Sequence, residues 1–380
     1  MNSLKSHKIL MLRRKMRKTR DKIAIIGTVG VPSQYGGFET LADNLVRYHF
    51  DNNRSELITV YCSTSAFKTH PKYYHNARLR YLNLKANGFQ SPLYDIISIM
   101  HAVFQGHNQI LLLGVSGALA LPFLKILWWV NIVTNIDGIE WKREKWSGFA
   151  KLFLRISEVF AVRFSNEVIA DNQAIADYVT NKYAKPCNVI SYGGDHATKP
   201  IASITAPGDL PKKFALSLCR IEPENNVHMI LDAFSKLETN LVFVGNWDNS
   251  EYGRQLKSKY LAHPNITVLN PVYDPSDLKA IRERASMYVH GHSAGGTNPA
   301  LVEMMHFRIP VFAYDCSFNR YTTEDKAIYF STAIDLSQKL SLLKNAESEA
   351  IGCNMLSIAK INYTWKKVGE EYFGLLNTNH

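Results

Sequence analysis

Short runs of β-branched and aliphatic residues alternate with stretches whose apolar positions recur every three or four residues. In the first half the strand-like runs are residues 22–27, 57–62, 79–84, 109–114, 131–137, 167–170 and 188–192. Helical spacing appears between several of them. Residues 38–50 put Leu41, Leu45, Val46 and Tyr48 on or near one face, and residues 147–164 do the same with Phe149, Leu152, Phe153, Ile156, Val159 and Phe160. Such alternation predicts an α/β domain with a largely parallel sheet. From 194 to 213 the pattern lapses into Pro, Thr, Ala, Gly and Lys, which reads as a linker. It then restarts, with strands at 214–219, 241–245, 266–269, 287–290 and 310–314 between helices at 227–237, 251–262, 276–285 and 298–307. A helical tail ends in 365–376. The expected organisation is a basic arm (1–21), a first doubly wound domain (22–193), a linker (194–213), a second such domain (214–362) and a C-terminal helix (363–380). Ligands of doubly wound sheets bind at the carboxyl ends of the strands, where strand order reverses.

A chain of 380 residues suits two domains better than one core. Its 46% hydrophobic and 20% charged residues are ordinary for a globular protein. Five scattered cysteines without a Cys-x-x-Cys pair fit a reducing cytoplasm rather than a disulfide framework or zinc site. Charge is concentrated at one end. Residues 1–22 hold nine Lys or Arg against the single Asp21, most of the formal net charge of +11. The rest of the chain is therefore no broadly basic nucleic-acid binder. The arm, with Ile9, Leu10, Met11, Leu12 and Met16 among its cations, suits an anionic membrane surface or a solvated extension. The apolar region 110–133 is broken by Gly114, Gly117, Pro122, Lys125 and Asn131, and parses as strand, helix, strand rather than a membrane span. Trp128 and Trp129 leave room for a shallow membrane contact.

The most informative motif is His290-Gly291-His292-Ser293-Ala294-Gly295-Gly296-Thr297-Asn298-Pro299, between an apolar strand and a helix that carries Glu303. Glycines let the backbone approach a ligand, and a helix N-terminus offers amides to an anion, most often a phosphate. The same residues also suit a tight strand-to-helix connection. In the first half, Gly27-x-x-Gly30 is followed by a longer loop ending in Gly36-Gly37, a poor match to the dinucleotide fingerprint. Gly36 and Gly37 either point amides at a ligand or make a plain helix entry. Asp137-Gly138-Ile139-Glu140-Trp141-Lys142-Arg143 lies past a central strand, where Asp137 is placed for sugar hydroxyls and Trp141 for stacking. Arg220 ends another strand and suits a bidentate diphosphate clamp, or a surface pair with Glu222 or Glu224. No Asp-x-Asp occurs, so no such paired carboxylate is offered to Mg²⁺ or Mn²⁺, and His290-x-His292 lacks further zinc ligands.

Together these residues resemble the GT-B glycosyltransferases of family 4, and within them a bacterial branch of rhamnosyltransferases of surface polysaccharide assembly. The resemblance covers about residues 22–330 and rests on Ile25-Ile26-Gly27-Thr28, Tyr35-Gly36-Gly37-Phe38-Glu39-Thr40, the segment 137–143 and the segment 290–303. It implies two Rossmann-like domains facing across a cleft and a retaining, metal-independent transfer, with no cofactor. The implied donor is a nucleotide diphosphate sugar, dTDP-L-rhamnose in this branch, and the implied acceptor a lipid-linked oligosaccharide for O-antigen, capsule or exopolysaccharide. The implied location is the cytoplasmic face of the membrane. Arg220, Asp137 and Glu303 are the expected catalytic residues. Gly36, Gly37, Arg220, Gly295, Gly296, Thr297, Asn298 and Glu303 are expected to bind the donor, Glu303 through the ribose. Two positions depart from the family pattern: Gly295 stands at the first Glu of its Glu-x7-Glu pair, and Asn225 stands where a phosphate-binding Lys is usual. Transfer of another hexose such as glucose or galactose, an epimerase-like enzyme of the same architecture, and a non-enzymatic membrane scaffold are the competing readings.

Overall fold

In the computed structural model, residues 21–33, 36–127, 130–142, 147–200 and 210–377 are described. The arm before Asp21, Tyr35, Trp128, Trp129 and Arg143 lie outside them. The chain is α/β throughout. In order come β1 (Lys22–Ile26), α1 (Gly37–Asp51), β2 (Leu57–Ser63), β3 (Tyr73–Tyr74), β4 (Ala77–Leu82), α2 (Ser91–Phe104), β5 (Gln109–Leu113), α3 (Leu121–Leu127), β6 (Asn131–Asn135), α4 (Gly148–Phe164), β7 (Glu167–Ala170), α5 (Gln173–Tyr183) and β8 (Asn188–Val189). Then follow β9 (Phe214–Leu218), α6 (Val227–Phe234), β10 (Leu241–Val244), α7 (Glu251–Tyr260), β11 (Ile266–Leu269), α8 (Pro275–Arg284), β12 (Ala285–His290), α9 (Pro299–Met305), β13 (Val311–Tyr314), α10 (Ser317–Thr323), β14 (Ile328–Phe330), α11 (Ala333–Leu342), α12 (Asn345–Asn362) and α13 (Trp365–Leu376).

The first sheet has the order β3-β4-β2-β1-β5-β6-β7-β8, with parallel pairing from β4 through β6 and of β7 with β8, and a short antiparallel hairpin of β3 with β4. The second has the order β11-β10-β9-β12-β13-β14, with parallel pairing throughout. Both are doubly wound, and the order reverses between β1 and β5 and between β9 and β12. Central strands of such sheets are covered on both faces, so they read as continuous apolar runs. Ile23, Ala24, Ile25 and Ile26 of β1 and Ile110, Leu111 and Leu112 of β5 are all buried. In the second sheet Phe243 and Phe312 join Ile230, Leu231 and Phe234 of α6 and Leu336 of α11 in one core.

The chain divides into two compact units. One contains the chain to Ile136, Leu152–Val168 and the C-terminal residues from Phe373; the other contains Asp137–Lys151 and Ile169–Tyr372. The segments that follow β6 and β7 thus belong with the second unit.

Candidate donor-binding site

The strand-order reversal of the second sheet, between β9 and β12, carries the loops 219–226 and 291–298. Backbone and side-chain bonds stitch them together. The Ser293 amide donates to the Glu224 carbonyl at 2.9 Å, and the Asn226 side chain donates to the Gly291 carbonyl at 2.8 Å. A Cβ on Gly291 would collide with the Asn225 carbonyl, so only glycine allows this approach.

Asn225 is the buried bridge between the loops. Its Nδ2 donates to the Arg220 carbonyl at 2.7 Å, which turns its Oδ1 toward His292 Nδ1, also 2.7 Å away. That ring nitrogen therefore carries a proton. A lysine here can donate but not accept, so it would lose the His292 bond, and the departure at 225 exchanges a cation for a structural tie.

Gly295 has φ +113, a region open to glycine and strained for any other residue, and a Cβ there would sit 3.1 Å from His292 Nε2. A glutamate at this position would be strained in this backbone conformation. On Gly296 a Cβ would overlap the carboxyl of Asp171. Among the described residues neither Gly295 nor Gly296 donates its amide to a protein acceptor. Two consecutive amides without a protein acceptor at a glycine turn are available to an anion.

The amides expected at the helix start are mostly used. α9 begins at Pro299, which has no N–H, and the Asn298 side chain accepts from the Ala300 amide at 2.9 Å as its N-cap. Thr297 is also committed. It is buried, its hydroxyl donates to the Asp171 carbonyl at 2.6 Å, and its amide reaches the Asp171 carboxyl. Of the expected amides, those of Gly295, Gly296 and Asn298 have no protein acceptor among the described residues.

Arg220 is half-exposed and pairs loosely with Glu222 at 3.6 Å. An exposed pair of this kind is worth about 0–1 kcal/mol. A diphosphate, which accepts two parallel bonds from the guanidinium, competes with it easily.

Glu303 is held quite differently. Its Oε2 accepts from Arg282, and its Oε1 lies 3.2 Å from His196 Nε2. Trp365 Nε1 donates to His196 Nδ1 at 2.9 Å, so the ring proton sits on Nε2 and points at the carboxylate. Burial alone would push the Glu303 carboxyl up; the Arg282 charge and the His196 hydrogen bond outweigh it and hold the group below its ordinary range.

Two carboxyls complete the second-unit cluster. Asp137 follows β6 in a left-handed conformation, φ +59, and the Gly138 α-carbon beside it packs on the Gly295-Gly296 turn, a Cβ there lying 3.1 Å from Gly295 Cα. Asp171 follows β7 and is fully buried, with Oδ1 unpartnered. Burial first, then the nearby charge of Asp137, hold its carboxyl well above the ordinary range. Asp171, Arg282 and His196 were not singled out from the sequence. Asp171 had a legible signal, an acid at the carboxyl end of a parallel strand; the other two reach Glu303 only through tertiary packing.

Trp141 is not a bare stacking face, since the ammonium groups of Lys142 and Lys182 lie 5.7 and 5.3 Å from its ring centre. In the first unit Gly36 caps α1 with φ +128, and a Cβ there would collide with Glu39. The Glu39 carboxylate folds back to accept the Val29 amide at 2.9 Å. Gly36 thus has a structural reason, and Gly37 opens the helix. His290 is buried beside Tyr288, which bonds its Nδ1 at 3.2 Å, and burial lowers its basicity strongly. Among the described residues no group of three or more His, Cys, Asp or Glu is placed to hold a metal ion.

Two largely parallel, doubly wound sheets are the architecture of the GT-B fold, and structures of that fold are similar to this chain. Known structures of that fold match nearly the whole chain. Sucrose-phosphate synthase from Thermosynechococcus elongatus aligns over 94% of this chain and 98% of its own, with TM-score 0.78 and 14% identity. HepE from Anabaena, in complex with UDP and glucose, aligns over 95% and 100%, with TM-score 0.69 and 17% identity. A trehalose-6-phosphate protein from E. coli bound with UDP-2-fluoro glucose aligns over 95% and 100%, with TM-score 0.67 and 11% identity. Residues 206–350 match the family model Glycosyl transferases group 1, and residues 20–195 match a domain of unknown function, DUF1972. No curated protein sequence matches the chain.

Proposed function

We propose that the protein is a retaining glycosyltransferase that moves a sugar from a nucleotide diphosphate donor, with dTDP-L-rhamnose as the donor and a lipid-linked glycan of surface polysaccharide assembly as the acceptor. The observation that carries the donor class is the Gly295-Gly296 turn, two unsatisfied amides tied through His292 and Asn225 to the Arg220 loop. The group 1 domain spans these residues, and two of the matching structures hold UDP with glucose or a fluorinated glucose. The rhamnosyl donor and the lipid acceptor rest on the resemblance of the motifs at 137–143 and 290–303. The cations of the arm support a location at the cytoplasmic face of the membrane, which suits a lipid acceptor; no described helix is long and apolar enough to cross one.

As the bond between the sugar C1 and the phosphate oxygen breaks, negative charge builds on the diphosphate. Arg220 and the two amides are fixed donors that stabilise this charge without reorienting. A phosphate oxygen takes the acceptor hydroxyl proton on the face from which the leaving group departs, which gives retention without a covalent enzyme intermediate. Glu303, kept ionised by Arg282 and His196, accepts from the ribose. Asp137 hydrogen-bonds the sugar hydroxyls. Incubation with a panel of dTDP-, UDP- and GDP-sugars and lipid-linked acceptors, read by mass spectrometry, tests the assignment. The expected product is the acceptor plus one deoxyhexose; epimerised or hydrolysed donor without acceptor modification overturns it.

A further inference from the structure

Eight of the twenty large hydrophobic side chains exposed among the described residues lie on α2, α3 and the part of α4 from Leu152 that belongs to the first unit. On α4, Leu152, Ile156 and Val159 are exposed. At 3.6 residues per turn they fall within an arc of about 60°. On α3, Phe123 and Ile126 are exposed, Ile126 by 81%. Leu93, Ile97 and Phe104 form a single stripe along α2.

These three helices lie over the same face of the first sheet. They join β4 to β5, β5 to β6 and β6 to β7, each step toward the same edge, and right-handed crossovers put all such connections on one side. Charge sorts in the same way. The two carboxylates of these helices, Asp95 and Glu158, are buried, whereas Lys125, Arg155 and Arg163 are exposed. Every charged side chain that reaches solvent from the described residues of this face is a cation. Arg155 and Arg163 stand on the same exposed side of α4 as its apolar stripe.

We propose that the outer face of α2, α3 and α4 docks onto an anionic lipid surface, apolar side chains entering the headgroup boundary and cations meeting lipid phosphates. Large apolar side chains mixed with Lys and Arg, and without exposed acids, suit that boundary. A protein partner or a second copy does not call for so one-sided a charge. The docking face extends the lipid-acceptor reading and rests on it for its purpose, while its own basis is exposure and charge.

Full-length protein is sedimented with vesicles of phosphatidylcholine alone and of phosphatidylcholine with phosphatidylglycerol in a three-to-one ratio. The triple variant Ile126→Glu/Leu152→Glu/Ile156→Glu changes only exposed positions and is expected to lower partitioning onto the anionic vesicles at least about tenfold. Arg155→Gln/Arg163→Gln is expected to lower it several-fold on anionic vesicles only, and the triple substitution should act equally in a chain lacking residues 1–20. Unchanged partitioning of the triple variant overturns the proposal, as does light scattering that finds a wild-type dimer which the triple variant splits into monomers. Nucleotide binding by calorimetry is followed in parallel. Vesicle binding without nucleotide binding leaves the docking face standing and removes the transferase reading.

Discussion

Replacing Gly295 with alanine separates backbone conformation from side-chain chemistry at the departure from the family pattern. The residue sits at φ +113, and an alanine Cβ would lie 3.1 Å from His292 Nε2. Holding a non-glycine residue in so sparse a region costs about 1–3 kcal/mol. For a unit of this size that is a fall in Tm of about 2–12 °C. Circular dichroism melts of wild type, Gly295→Ala, His292→Ala and the double variant resolve the two contributions. Removing the imidazole relieves the crowding and leaves the φ penalty, so the double variant should recover only part of the loss relative to His292→Ala. Gly295→Glu, which restores the family's acid, is expected to lose stability in the same way and to bring no gain in turnover. A Gly295→Ala protein that melts with the wild type, or full recovery in the double variant, refutes the conformational explanation.

Arg220→Ala should lower kcat/KM by roughly 10²–10³-fold, about 2.7–4 kcal/mol of transition-state stabilisation, in steady-state assays; near-normal turnover contradicts the phosphate clamp. Arg282→Met strands the Glu303 carboxylate and should destabilise by about 3–5 kcal/mol in urea unfolding. Because Glu303 lies below its ordinary range in the folded protein, its contribution is complete above the unfolded value near about 4.3 and is lost as pH falls through the lowered folded value. The wild type should therefore lose more stability than Arg282→Met between neutral and strongly acidic pH, and parallel profiles would remove the ion pair from the account. Turnover should survive EDTA, given the missing Asp-x-Asp, and strict metal dependence would count against it.

The alternation of patterns made both doubly wound sheets legible, since parallel strands buried on two faces leave long apolar runs. Short edge elements were not legible. The three residues of β14 and the two of β3 are too few to show a period, and pairing alone defines them. β6 ends at Asn135 rather than 137 because Asp137 turns left-handed. α9 is shorter than 298–307 because Asn298 serves as its cap and the helix closes at Met305. In the site, Arg220, Gly295, Gly296 and Glu303 could be singled out because each stands beside a strand end or helix start. His196 and Arg282 could not, because 107 and 21 residues separate them from Glu303, and no local pattern encodes that meeting.

The central claim is that the turn at Gly295 and Gly296, with Arg220, binds a nucleotide diphosphate. Titration calorimetry of dTDP and UDP into the wild type, Arg220→Ala and Gly296→Val tests it most directly. The account predicts saturable binding of at least one nucleoside diphosphate to the wild type, weakened at least about tenfold by either substitution, with the corresponding nucleoside binding poorly throughout. Absence of binding to the folded wild type, or equal affinity in all three proteins, contradicts it.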